Sequence, residues 1–183
     1  MTTDNAGATV YVALLRGINV GGHGKVSMAD LRQAVESTGC TDVSTYIQSG
    51  NVVLTSARAE AALRAALEHA IADRLGVHPT VMVRSADEIA AVVAATPYPD
   101  AAEGTVHVAF LHEPPTPEPT TPRGGTEGEE LTVLGREIYL HLPGGIGRSK
   151  LMVEVGKRCK APMTVRNWRT VTKLRAMTGP ARG

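Results

Sequence analysis

The stretch VYVALLRGINVGGHGKVSMADLRQAVESTGCTDVSTYIQSGNVVLT, Val10 to Thr55, decides the fold. It opens on six apolar residues, Val10 to Leu15, an unbroken run of strand length expected of a strand covered on both faces. A glycine-rich connection follows from Arg16 to Lys25. Ser27 with Asp30 three residues later predicts a helix start, and Gly39 predicts its stop. Val43, Thr45 and Ile47 then alternate with Ser44, Tyr46 and Gln48, the period of a half-buried strand. Ser49-Gly50 turns the chain into Asn51–Thr55, completing a hairpin. Outward from this stretch, Ser56 is the expected cap of a helix carrying Leu63, Leu67, Ile71 and Leu75 and closed by Gly76. Thr80 to Arg84 supplies a fourth strand. The order βαββαβ predicts a ferredoxin-like subdomain over residues 1–84 in an α+β protein.

A second, smaller α+β subdomain is expected over 85–183. Ser85 and Glu88 form a capping box for a helix with Ile89, Val92 and Val93, ended before Pro97. Val106, Val108 and Phe110 alternate with His107 and Ala109, a strand with His107 pointing outward. Residues 112–130 hold five of the 11 prolines and predict a solvated loop. Two short strands follow, Leu131–Leu134 and Ile138–Leu142, the second with His141 outward. Two helices end the chain, one starting at Ser149 and the other capped by Thr164, with Trp168 as its core anchor.

Composition narrows the function. The chain has 183 residues, 43% hydrophobic and 20% charged, enough to bury a core and unlike a disordered segment. Aromatics are 3%, which argues against a site of stacked rings. No apolar run has membrane-span length, and the start from Met1 to Ala8 has no signal-peptide pattern, so a cytoplasmic protein with no membrane partner is expected. Cys40 and Cys159 lie far apart, and no spacing of ligating residues points to a metal or other cofactor. The net charge of +1 conceals an asymmetry. Residues 1–135 hold 8 Lys/Arg against 16 Asp/Glu, a balance of −8; residues 136–183 hold 11 against 2, a balance of +9. A basic tail either meets an acidic partner or lies against the acidic half of its own chain.

The topology brings the loop after strand one and the hairpin 48–51 to one end of the sheet, where the first helix begins. That end offers Arg16, Asn19, Lys25, Gln48, Ser49 and Asn51 and, as read from the sequence, no carboxylate. Donors beside a helix N-terminus are the composition of an anion site. Two later segments repeat the pattern: Arg148, Ser149 and Lys150 at one helix start, and Arg166 and Asn167 in the expected first turn after Thr164. Cations at the positive end of a helix dipole call for an anion. The glycine loop is no P-loop, because Asn19 and Val26 stand where Gly and Ser or Thr are needed, and no dinucleotide fingerprint, because Ser27 replaces the last Gly.

Several of these strings resemble one family. Ala13–Gly22, Lys25 with Met28–Leu31, and Thr45–Val53 look like the N-terminal signature of the bacterial domain of unknown function family 1697. Gly147–Leu151 and Thr164–Leu174 look like its C-terminal signature. The resemblance implies a ferredoxin-like N-terminal half with a second α+β part, and no reaction. It also implies a helical stretch where this chain has Thr116 to Gly125, from which the sequence departs.

Three functions compete. The first is binding of a phosphate-bearing ligand, a nucleotide or a nucleic acid, in a donor-rich cleft between the subdomains. The second is a small enzyme acting on an anionic phosphorylated metabolite, with Lys25 or His23 as acid/base. The third makes the polar motifs purely structural at the subdomain interface. Oligomeric state has no signature in the sequence.

Overall fold

The computed structural model describes residues 7–19, 25–120 and 128–179. His23, the glycines at 21, 22 and 24, and part of the 112–130 stretch lie outside the described residues. The fold is α+β, with two antiparallel four-stranded sheets and five helices among the described residues.

The first sheet contains β1 (Thr9–Arg16), β2 (Thr41–Tyr46), β3 (Asn51–Ser56) and β4 (Thr80–Ser85) in the order β2-β3-β1-β4. Helix α1 (Met28–Glu36) connects β1 to β2, and α2 (Glu60–Leu75) connects β3 to β4. The central position of β1 follows from its unbroken apolar run, since Val12, Ala13 and Leu14 are fully buried whichever face they occupy. Tyr11, Ala13 and Leu15 join Val52, Leu54, Val81 and Val83 in one core with Leu31 and Val35 of α1 and Leu63, Leu67 and Ile71 of α2. The four-residue spacing in α2 therefore delivers its apolar stripe to the sheet. Ser27 caps α1 as expected, its hydroxyl accepting from the Asp30 N–H. Ser56 does not cap α2. It belongs to β3, and α2 starts after Ala59 with no side-chain cap.

The second sheet contains β5 (Val106–Leu111), β6 (Glu130–Leu134), β7 (Glu137–His141) and β8 (Met163–Asn167) in the order β6-β7-β5-β8. Helix α3 (Ala86–Ala94) begins at the expected capping box: Ser85 N–H donates to Glu88 at 2.8 Å and Glu88 N–H donates to Ser85 Oγ at 3.2 Å. Helix α4 (Lys150–Arg158) is capped by Ser149, and its Leu151 and Val155 pack with Ala109, Leu111, Ile138 and Leu140. The Tyr139 hydroxyl donates to the Val92 carbonyl at 2.8 Å, and burial with the Glu137 charge pushes its phenol up to about 12.

Two expectations fail here. Thr164 starts no helix: Thr164, Val165, Arg166 and Asn167 form β8, paired to β5, and helix α5 runs Trp168–Met177. Asn167 takes the capping role, its Oδ1 accepting from the Thr170 N–H at 2.8 Å. Trp168, at the start of α5, is half-buried, and Val171 and Leu174 are the buried apolar residues of that helix. His107 does not point outward: all six residues of β5 are buried, His107 at 7% exposure. Strand alternation between apolar and polar residues does not imply a wet face when both faces of a sheet are covered.

By compactness the chain divides into two units, residues 1–90 with 174–183, and residues 91–173.

Candidate functional site

In the first unit, the end of β1 and the β2–β3 turn are fastened together. Leu15 N–H donates to the Gly50 carbonyl at 2.8 Å. The Asn19 side chain completes the fastening: its Nδ2 donates to the carbonyls of Val26 and Gln48, both at 3.0 Å, and its Oδ1 accepts from the Val26 N–H at 2.8 Å. One amide thus bonds both polar groups of Val26 as a neighbouring strand would, and ties in the turn as well. Asn51, fully buried, donates to the Tyr46 carbonyl at 2.9 Å and to Ser49 Oγ at 3.0 Å, closing the turn from within. Gly50 has φ +79°, and a Cβ there would stand 2.9 Å from the Leu15 Cβ, so the turn can lie against β1 only with glycine at this position.

These contacts bring Arg16, Asn19, Lys25, Gln48, Ser49 and Asn51 to one rim. Their chemistry differs. Asn19 and Asn51 spend their amides on the scaffold. Arg16, Lys25, Gln48 and Ser49 are exposed, and among the described residues neither Arg16 nor Lys25 has an ion pair. The start of α1 is not an open donor site. The Ser27 hydroxyl accepts from the Asp30 N–H and donates to the Asp30 carboxylate at 2.7 Å. The expected absence of a carboxylate at this end is therefore corrected, because Asp30 answers the helix dipole from within the chain.

In the second unit, Arg148 and Lys150 are exposed beside the buried Ser149, whose hydroxyl accepts from the Met152 N–H at 2.9 Å. The Glu129 carboxylate accepts from the Leu151 N–H at 3.1 Å. The anion that cations at this helix start call for is again supplied in part by the chain. Arg166 is 8% exposed on β8 rather than in a first helical turn, and its guanidinium donates to Thr164 Oγ1 at 2.7 Å and to the Val165 carbonyl at 3.0 Å. Burial lowers its pKa to about 10, so it stays charged at neutral pH. Asn167, exposed, caps α5. Arg169 meets Glu103 at 3.5 Å on the surface, a pair worth little.

Two features escaped sequence reasoning. Ile47 lies in the β2–β3 turn at φ +50° and half-exposed, with nothing in its residue type to announce it. Neither Asp30 nor Glu129 was expected to face a candidate site. For Asp30 the capping-box pattern was a usable signal; for Glu129, 22 residues from its partner, there was none.

A family model described as protein of unknown function (DUF1697) matches residues 8–139. The chain belongs to this family. The DUF1697 match takes in the whole rim of the first unit and ends before β8 and the two C-terminal helices. Among solved structures, the chain is similar to the conserved bacterial protein SP0830 from Streptococcus pneumoniae, at 25% identity and a TM-score of 0.70, over 93% of this chain and 99% of that one. No curated protein matches it. Among the described residues no helix is long and apolar enough to cross a membrane.

Proposed function

We propose that this DUF1697 protein binds a phosphate-bearing ligand, with a nucleotide or a nucleic acid as the candidates, on the rim of its first unit. The observation that carries the reading is a pair of exposed cations without acid partners among the described residues, Arg16 at the end of β1 and Lys25 beside Val26, whose N–H and carbonyl the half-buried Asn19 amide holds. Backbone already fixed at Val26 and Gln48 lowers the ordering cost of binding there. Gln48 and Ser49 add exposed polar groups from the turn. Arg16 and Lys25 are the charge contacts; β1 carries the first, Asn19 holds Val26 beside the second, and Asn51 closes the turn that presents Gln48 and Ser49. Both helix starts carry a carboxylate of their own, so the proposal rests on side-chain cations and not on helix dipoles.

A thermal-shift screen of nucleotides, phosphorylated metabolites and oligonucleotides tests the reading, run in parallel on Arg16→Ala. A stabilising ligand whose effect is lost in Arg16→Ala supports it. A screen in which no phosphate compound shifts the wild type removes it. For an oligonucleotide, affinity that falls steeply with salt identifies backbone phosphate contacts.

A further inference from the structure

Among the described residues, eleven positions have positive φ, and ten of them are Gly, Asn or Asp, the types that tolerate the left-handed region. Ile47 is the exception, at φ +50°. A β-branched side chain there is strained, and such strain persists only where the surroundings or function require it. Burial compensates it only in part, because Ile47 keeps 50% of its surface exposed. The rest of the rim shows how the problem is ordinarily solved: Gly17 at φ +86°, Asn19 at φ +54° and Gly50 at φ +79° all suit the conformation they adopt. The strained residue is also one of only four large hydrophobic side chains exposed among the described residues. It precedes Gln48 in the turn, and the Gln48 carbonyl is held by Asn19, three residues beyond Arg16 at the end of β1.

We propose that Ile47 is a ligand-contacting residue, kept in a strained conformation so that an apolar surface stands on the cationic rim. The ligand class follows from the juxtaposition. A phosphate group alone has nothing, and a sugar phosphate little, to place against an aliphatic side chain. A phosphate monoester carrying a group with a flat apolar face, such as the base of a nucleotide, fills both positions, and covering the exposed half of Ile47 then gains apolar burial that the free protein lacks. The inference rests on the phosphate-binding reading of the rim and narrows it.

Adenosine 5′-monophosphate and ribose 5-phosphate separate the two, since both carry the phosphate and only one carries a base. Their affinities are compared by calorimetric titration on the wild type and on Ile47→Asn, a residue that tolerates positive φ, with Ile47→Gly as a second variant. The wild type is expected to prefer the nucleotide by about tenfold. In both variants the preference should fall toward unity while ribose 5-phosphate binds as before, and Tm should rise by about 2–5 °C as strain is released. A preference unchanged in both variants overturns the role of Ile47 and leaves the phosphate site standing. Variants no more stable than the wild type overturn the strain argument. A wild type that binds neither compound, while another phosphate compound shifts its melting in the screen, overturns the base-bearing monoester as the ligand class. Binding of no phosphate compound at all overturns the site with it.

Discussion

Two arginines with the same side chain occupy opposite physical situations in this protein. Arg16 ends β1, exposed and without an ion pair among the described residues; Arg166 sits in β8 at 8% exposure with its guanidinium on Thr164 and Val165. Arg16→Ala and Lys25→Ala should change folding free energy by no more than about 0.5 kcal/mol, as surface substitutions do. Arg166→Ala removes a buried hydrogen-bonding group and should cost about 2–4 kcal/mol. Urea denaturation of the three variants checks the contrast. His107 is, like Arg166, a buried polar residue. Its Nδ1 is buried with no hydrogen-bond partner among the described residues, and burial holds the imidazole below its ordinary value of 6.5, opposed in part by the Thr105 backbone. The unfolded chain therefore takes up a proton at higher pH than the folded one. Stability present above pH 6.5 is lost as the pH falls from there toward the lowered folded value. In His107→Leu the loss of stability between about pH 7.5 and about pH 5 should shrink, measured by denaturation at both.

At the scale of elements, the β2–β3 turn depends on one close approach. Gly50→Ala would place a methyl 2.9 Å from the Leu15 Cβ at φ +79°, so both sterics and backbone oppose it. A destabilisation of about 2–4 kcal/mol is expected, with the turn displaced from β1; denaturation gives the energy, and amide exchange at Leu15, which donates to Gly50, reports the displacement. The elements themselves were largely legible. The apolar run of β1, the four-residue spacing of α2 and the Ser85–Glu88 box each state their structure in residue types. The misreading at β8 has a definite cause. Met163 and Val165 alternate toward the core, as a strand requires, but Arg166 occupies a buried position where the pattern calls for an apolar residue. With a charge there, Thr164 imitated a helix cap, although Asn167 stood ready to serve. Ser56 misled for a related reason, because a strand-end serine and an N-cap serine look alike until the strand's length is known.

At the scale of the whole molecule, the sequence shows a charge division, −8 before residue 136 and +9 from it onward, and gathers its polar motifs at loop ends. It does not show which of those groups are free. Amides are consumed by hydrogen bonds to backbone carbonyls that no sequence pattern marks, as with Asn19 bonding Val26 and Gln48. Helix starts are answered by carboxylates near and far, Asp30 three residues from its partner and Glu129 22 residues from Leu151. Of the eleven residues expected to bind a ligand, the structure leaves Arg16, Lys25, Gln48 and Ser49 exposed on one rim of the first unit. Isothermal titration of the ligand that most stabilises the wild type, against the wild type and an Arg16→Ala/Lys25→Ala double variant, tests that rim most directly. Saturable binding to the wild type, weaker by about a hundredfold in an equally stable double variant, is the expected result. Equal affinity in the two proteins would contradict it.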